Sequence, residues 1–155
     1  MPAFDPDFQT IANTKLYIVA ARPATDDVTA WAALTFVQFN GITSVPSVSG
    51  REYSNATLAT VDSAHDREKK GSYKFPTMEW GIVWDLLDPG QIIALAASKN
   101  YTIPGFKVVR QNGDIEYFSA QVSSMMDDGG TSNDALTGKM TLLKQSDNIH
   151  VPFTP

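Results

Sequence analysis

The sequence predicts a mainly antiparallel β domain, class α+β, with one helix. Three observations carry the prediction. Stretches of alternating apolar and polar residues recur along the chain, the spacing at which one face of a strand is buried. The pairs Asn40-Gly41 and Asn112-Gly113 follow or divide such stretches, where tight hairpin turns need them. Helical spacing together with helix-end signals is clearest in one segment, residues 88–100.

Taken in order, residues 1–14 hold Pro2, Pro6 and two aspartates and read as an extended N-terminal arm. KLYIVAA (15–21) is the first strand, with Leu16, Ile18 and Ala20 on one face and Tyr17 and Val19 on the other. RPATDDVTAW reads as a loop, and ALTFVQFNGI (33–42) as a second strand rich in β-forming residues. Residues 43–50, with Pro46 and Gly50, are irregular or an edge. EYSNATLATVD (52–62) alternates weakly and reads as a third strand. SAHDREKKGSYKF (63–75) sets Arg67, Lys69, Lys70 and Lys74 against Asp66 and Glu68. Almost nothing there can be buried before Tyr73, so it reads as a charged loop.

TMEWGIVWD (77–85) places Met78, Trp80, Ile82 and Trp84 on one face. In DPGQIIALAASKN (88–100), Asp88 is the N-cap, Pro89 suits the first helical position and Gln91 completes a capping-box pattern. Ile92, Leu95, Ala96 and Lys99 follow helical spacing, which makes Ile92 and Leu95 the expected packing stripe. A hairpin about Asn112-Gly113 spans 103–125; in it Phe118, Ala120 and Val122 alternate with Ser119, Gln121 and Ser123. Residues 127–134 form a Gly/Asp loop, 135–146 a last long strand, and 147–155 an extended C-terminal tail. The expected organisation is a single domain over 15–146 with Phe118 and Val122 in its core.

Composition narrows the function classes. At 155 residues, 43% hydrophobic and 19% charged, the chain can bury one core. It has no cysteine, which removes disulfides, thiolate nucleophiles and cysteine-type zinc sites together. No run of 18 apolar residues offers a membrane span, and the N-terminus lacks the basic and apolar regions of a signal peptide. The net charge of −5 makes the domain a poor gripper of phosphate backbones.

No catalytic or cofactor motif stands out: there is no Gly-rich phosphate loop, no nucleophile elbow and no zinc-protease helix. His65 beside Asp66 is read as a solvated pair, because a general base needs fixed geometry. His150 lies in the tail. Asp114 and Glu116 flank a hairpin turn rather than a cleft. The DDGG loop with Asp134 lacks the ligand spacing of a calcium loop. Trp80 and Trp84 have the spacing of a core face; stacking on a ligand is the rival reading. No enzymatic activity, metal or cofactor is expected.

The order of features is the more specific signal. NATLATVD runs into a charged segment ending KKGSY; a tryptophan-bearing strand precedes the capped helix; then come FKVVRQNGDIEYFSAQVSSM, a Gly/Asp loop and a closing strand. This set, over residues 15–146, resembles the major tail tube proteins of long-tailed bacteriophages. The resemblance implies an antiparallel β-sandwich or half-barrel flanked by one helix. It also implies six-membered rings that stack into a tube in the virion, with genome DNA passing through the lumen without specific binding. On that reading the subunits are made in the cytoplasm of the bacterial host. The partners are further copies of the chain and other tail proteins at the tube ends. A related inner tube, of a contractile tail or a secretion system, is the alternative. Asp66, Arg67, Glu68, Lys69, Lys70, Tyr73 and Phe75 are the candidate subunit interface. The arm, the 63–75 loop and the tail are expected to become ordered between subunits, and sheet edges to pair around the ring.

Overall fold

The computed structural model describes residues 9–154. Its strands are β1 (Lys15–Val19), β2 (Val37–Phe39), β3 (Ile42–Ser44), β4 (Glu52–Leu58), β5 (Arg67–Lys74), β6 (Met78–Val83), β7 (Gly105–Val109), β8 (Ile115–Asp127), β9 (Thr137–Lys144) and β10 (Ile149–Val151). The helices are α1 (Val28–Ala32) and α2 (Pro89–Ser98). Every strand pairing is antiparallel.

β8 organises the domain. Its first part pairs with β7 on one side and β10 on the other, and from Ala120 onward it pairs with β9. The register slips between Val122 and Ser124, the kind of irregularity that lets a strand bend and leave one sheet for another. Two sheets therefore share β8: a first sheet β2-β1-β7-β8-β10 and a second sheet β8-β9-β6-β3. Leu16, Ile18, Phe106, Val108 and Phe118 of the first sheet meet Met78, Trp80, Ile82, Met140 and Leu142 of the second in one core. Phe106 and Phe118 stack at 5.3 Å between centroids. Burying side chains of this size contributes about 1.5–3 kcal/mol each.

α2 lies against β8, β2 and β1. It docks through Gly90, Gln91, Ala94 and Ala97, while Ile92 is 51% exposed and Leu95 only partly buried. The expected stripe is thus corrected by about one residue. The reason is distance: a Cβ on Gly90 would lie 2.7 Å from the Gln38 carbonyl oxygen and the Phe39 Cα, so the helix rides directly on the β2 backbone through its small side. The Asp88 carboxylate caps the helix, accepting from the Gln91 N–H at 3.1 Å. The other half of the expected capping box is replaced. Gln91 instead accepts from the Asp85 N–H and donates to the Val83 and Asn40 carbonyls, stitching the helix to both sheets.

Three further expectations change. The RPATDDVTAW loop holds α1, a five-residue helix capped by Asp27, whose Trp31 is fully buried on the outer face of the first sheet. Trp31 stacks with Tyr117 and Phe36, so β8 is covered on both faces and residues 116–120 are all buried. Ser119 is buried with them, its hydroxyl 2.9 Å from that of Ser146. The expected strand 33–42 is broken into β2 and β3 by the turn at Asn40-Gly41. The tail is no free segment in the structure: β10 pairs with Ile115–Tyr117 of β8. Of the arm, residues 1–8 lie outside the described residues, and Thr10 is held by the Gln111 side chain.

Candidate assembly interface

The segment 63–75, read as a charged loop, is mostly a strand. β5 pairs with β4 from Glu52↔Lys74 to Leu58↔Arg67, and the two form a separate two-stranded sheet. Backbone hydrogen bonds make this ladder without any apolar periodicity, which is why the side-chain pattern concealed it. Every residue of both strands is exposed. A lone two-stranded hairpin is marginal in water.

Rings and cations contact one another along the hairpin. Tyr53 and Tyr73 lie 5.4 Å apart, and Phe75 meets Tyr73 edge-on at 5.8 Å. Lys70 sits over Tyr53 and Arg51 over Tyr73. Leu58 and Ala56 share one face with their partners Arg67 and Lys69, while the register shift after Tyr53 leaves Tyr53, Tyr73 and Lys70 on the other. Of the predicted interface residues, Asp66 lies in the turn that precedes β5; Arg67, Glu68, Lys69, Lys70 and Tyr73 are in β5 and exposed. Phe75 is different: it is half-buried at the root, 5.0 Å under the Lys144 ammonium, so it anchors the hairpin on its own domain.

The root is polar and buried. Lys144 donates to the Val48 carbonyl at 3.0 Å, and burial pushes its ammonium below the ordinary lysine value, against the nearby Asp147 and Glu116 charges. Glu116 accepts from the Ser49 hydroxyl and from Arg110 at 2.9 Å. Burial works against its carboxylate, but those hydrogen bonds and the Arg110 charge outweigh it and hold the carboxyl below its ordinary 4.5. Asn148 bonds the Val48 carbonyl and the Ser49 hydroxyl, and Arg51 pairs with Asp147. Segment 48–51, which feeds β4, is thereby tied to β8, β9 and the chain just beyond β9. Sequence reasoning missed this cluster because the contacts that tie segment 48–51 into it span 67–100 positions and no motif marks them.

Asp114 and Glu116, weighed as a carboxylate pair, are accounted for separately. The Phe153 N–H, then Asn112 and His150, hold the Asp114 carboxyl below its ordinary 3.8, and burial only partly opposes them. His150 lies 3.6 Å from Asp114. His65 is exposed, with the Ser63 hydroxyl 3.5 Å from its ring. In the Gly/Asp loop, Asp134 accepts from Thr131, and Asp128 from Thr137. Trp80 is 0% exposed and Trp84 packs against the core, so the ligand-stacking reading of that pair fails.

Two of the open strand edges among the described residues belong to the second sheet. β3 ends the second sheet, and β8 beyond Ala120 is paired on one side only, by β9. The outer face of this sheet carries Gln121, Ser123, Thr141 and Leu143, with Lys139 and Glu79 paired at 3.4 Å.

No family model matches the sequence, and no curated protein matches it. Solved structures do. A chain from the tail of an empty gene transfer agent particle, determined with C6 symmetry, is similar at 12% identity and a TM-score of 0.65, over 94% of this chain and all of that one. A chain of the sheath/tube terminator of an extracellular contractile injection system is similar at 11% identity and TM-score 0.61, over 96% of this chain and all of that one. A chain of the anti-feeding prophage baseplate reaches TM-score 0.61 at 6% identity, over 97% of each. The protein therefore has a tail-tube-like, mainly antiparallel β fold.

Proposed function

We propose that the chain is the structural subunit of a bacteriophage tail tube, a non-enzymatic protein that polymerises as stacked rings and forms the conduit for genome DNA. The carrying observation is the β4–β5 hairpin. Fifteen strand residues, seven in β4 and eight in β5, project from a well-packed domain with none of them buried. Such an element gains its stability from a neighbour, and the neighbour in a tube is another copy. The candidate interface Asp66, Arg67, Glu68, Lys69, Lys70 and Tyr73 belongs to this contact, with Phe75 as its anchor.

The likeness to a particle tail determined with C6 symmetry supports rings of six. Ring closure fits the open edges: β3 of one copy adds to the free side of β8 in the next, which removes both edges around the ring. The outer face of the second sheet then lines the lumen. Its Glu79–Lys139 pair cancels charge, and its hydroxyl and amide groups give a wall that DNA passes without lasting attachment. The likeness to baseplate and terminator chains supports other tail proteins at the tube ends. The site of action is the virion tail, after synthesis in the bacterial cytoplasm.

Negative-stain microscopy of the concentrated protein tests the reading. Rings or tubes are expected; a monomer at every concentration refutes it. The contractile-injection-system likeness favours a second reading, a tube enclosed by a sheath. A sheath protein in the same particle decides between the two.

A further inference from the structure

We propose that Asn112 is a site of spontaneous modification, where the side-chain amide gives way to an aspartyl or isoaspartyl linkage, and that the isoaspartyl form loosens the C-terminal strand β10. The inference concerns the single chain and holds whether or not copies of it form a tube.

The conversion needs a backbone nitrogen open to approach, a side-chain carbonyl carbon poised beside it, and a side-chain nitrogen free to leave. Glycine has no Cβ to hinder its nitrogen, and two Asn-Gly pairs supply one, at 40–41 and 112–113. In the first pair Asn40 is immobilised. Its side-chain nitrogen donates to the Asp88 carboxylate at 2.7 Å and its N–H to the same group at 3.2 Å. Asn112 is exposed, and its side-chain nitrogen is held by no described residue. Its side-chain oxygen accepts from the Asp114 N–H at 3.0 Å. A turn of this kind curls the side chain back along its own backbone and so brings Cγ beside the Gly113 nitrogen. The same N–H polarises the carbonyl for attack. Asn100 makes the matching turn, accepting from the Thr102 N–H at 3.0 Å, but Tyr101 follows it and hinders the nitrogen. Of the three asparagines, Asn112 alone joins the turn to a glycine. The Gly113 N–H donates to the Arg110 carbonyl at 3.0 Å, a bond at a hairpin tip, where local opening costs least.

Water is the only co-reactant. Solvent base takes the Gly113 N–H proton, and the nitrogen bonds to Asn112 Cγ. The side-chain nitrogen takes a proton from water and leaves as ammonia. The cyclic imide then adds water at either carbonyl. Opening at Cγ leaves aspartate at 112 with the main chain restored. Opening at the backbone carbonyl routes the main chain through the side chain, lengthens it by a carbon and leaves a free carboxylate.

Position gives the change its consequence, because the 110–114 turn fastens both ends of the described chain. The Asn112 N–H donates to the Gln9 side chain at 3.4 Å, and the Thr10 N–H to the Gln111 side chain at 2.9 Å. On the other side the Phe153 N–H donates to the Asp114 carboxylate at 2.8 Å, and His150 lies 3.6 Å from it. The Phe153 ring packs so closely on Gly113 that a Cβ there would lie 2.7 Å away. A lengthened turn moves Gly113 and Asp114 off Phe153. β10 then keeps its short ladder to Ile115–Tyr117 without the clasp beyond it.

The test uses the whole chain, held in mildly alkaline buffer and sampled over weeks. Peptide mapping that resolves asparagine, aspartate and isoaspartate should find Asn112 converting at least about tenfold faster than Asn40 or Asn100. Amides of 149–151 and 153 should exchange with solvent at least about tenfold faster in the isoaspartyl fraction, the loss of one hydrogen bond to a charged acceptor. Asn112→Gln, whose longer side chain closes the ring far more slowly, should exchange alike when fresh and when aged. Conversion of Asn112 no faster than that of Asn40 and Asn100 overturns the site. Unchanged exchange in the isoaspartyl fraction, or an equal rise in aged Asn112→Gln, overturns the loosening of β10.

Discussion

β8 and β5 are the two most unlike strands of the molecule. β8 runs thirteen residues with both faces covered over 116–120, the core on one side and the Trp31 cluster on the other. β5 runs eight residues with neither face covered. Both are ordinary ladders to the backbone. The difference is what explains their side chains. Each residue of β8 from 116 to 120 is accounted for inside the chain, down to the Ser119 hydroxyl on Ser146. The cations and the tyrosine of β5 find little inside it beyond Tyr53 of the facing strand, Arg51 and Phe75. A strand whose side chains its own fold leaves unused is where a second molecule is to be sought. Substitution should therefore damage the fold at β8 and the assembly at β5.

The largest effect on the fold is expected at Phe118, 0% exposed and stacked on Phe106. Phe118→Ala should cost about 3–5 kcal/mol, a large share of the roughly 5–15 kcal/mol that stabilises a small domain. Denaturant melts measure it, and a wild-type melt would remove the first half of the comparison.

Glu116 comes next. Glu116→Gln leaves Arg110 without its charged partner and should cost about 1.5–3 kcal/mol near neutral pH. The folded protein holds this carboxyl below 4.5, so its stabilisation is complete above that pH and is lost as pH falls through the folded value. The gap between wild type and Glu116→Gln should accordingly narrow on acidification. A gap that stays constant through the acid range would place the stabilisation elsewhere.

Replacing 54–72 by a short turn is the sharpest cut between the two regions. The domain should melt within about 1 kcal/mol of wild type, because no strand residue of the hairpin is buried. Tubes should be absent. A loss of several kcal/mol would show that β4–β5 belongs to the core's stability after all.

The same contrast explains what the sequence disclosed. The sandwich strands were legible because one buried face leaves a period of two: Met78, Trp80 and Ile82 are core as read, as are Phe118 and Val122. α2 was legible as a helix from its cap, but its docking face was not. Apolar spacing pointed to Ile92, whereas close approach over Gly90 selects the small side. α1 was hidden because five residues carry too little periodicity. β5 was hidden because a strand with no buried face has no pattern to read. The candidate residues 66–70 were singled out by charge density and Tyr73 as an aromatic, but their place on an exposed strand needed the fold, as did the Glu116–Lys144 root, which brings distant positions together.

The smallest effect on the fold is expected on the outer face of the second sheet. Glu79 and Lys139 are about 60% exposed and pair at 3.4 Å, so Glu79→Gln should change stability by about 0.5 kcal/mol or less. On the tube reading its consequence lies elsewhere. With Glu79 present, the wall holds one cation and one anion side by side and offers phosphates little net attraction. With Gln there, each copy presents an uncompensated Lys139 to the lumen, and every ring repeats it. Each cation that neutralises a phosphate releases condensed counterions, so duplex affinity should rise and fall steeply with added salt. Lys139→Gln removes the cation instead and should give no such rise. Glu79→Gln tubes should assemble normally, retain duplex DNA at low salt and release it at high salt. If Glu79→Gln tubes bind DNA no better than Lys139→Gln tubes, this face does not meet the DNA, and the wall of the conduit has to be sought on another surface of the domain.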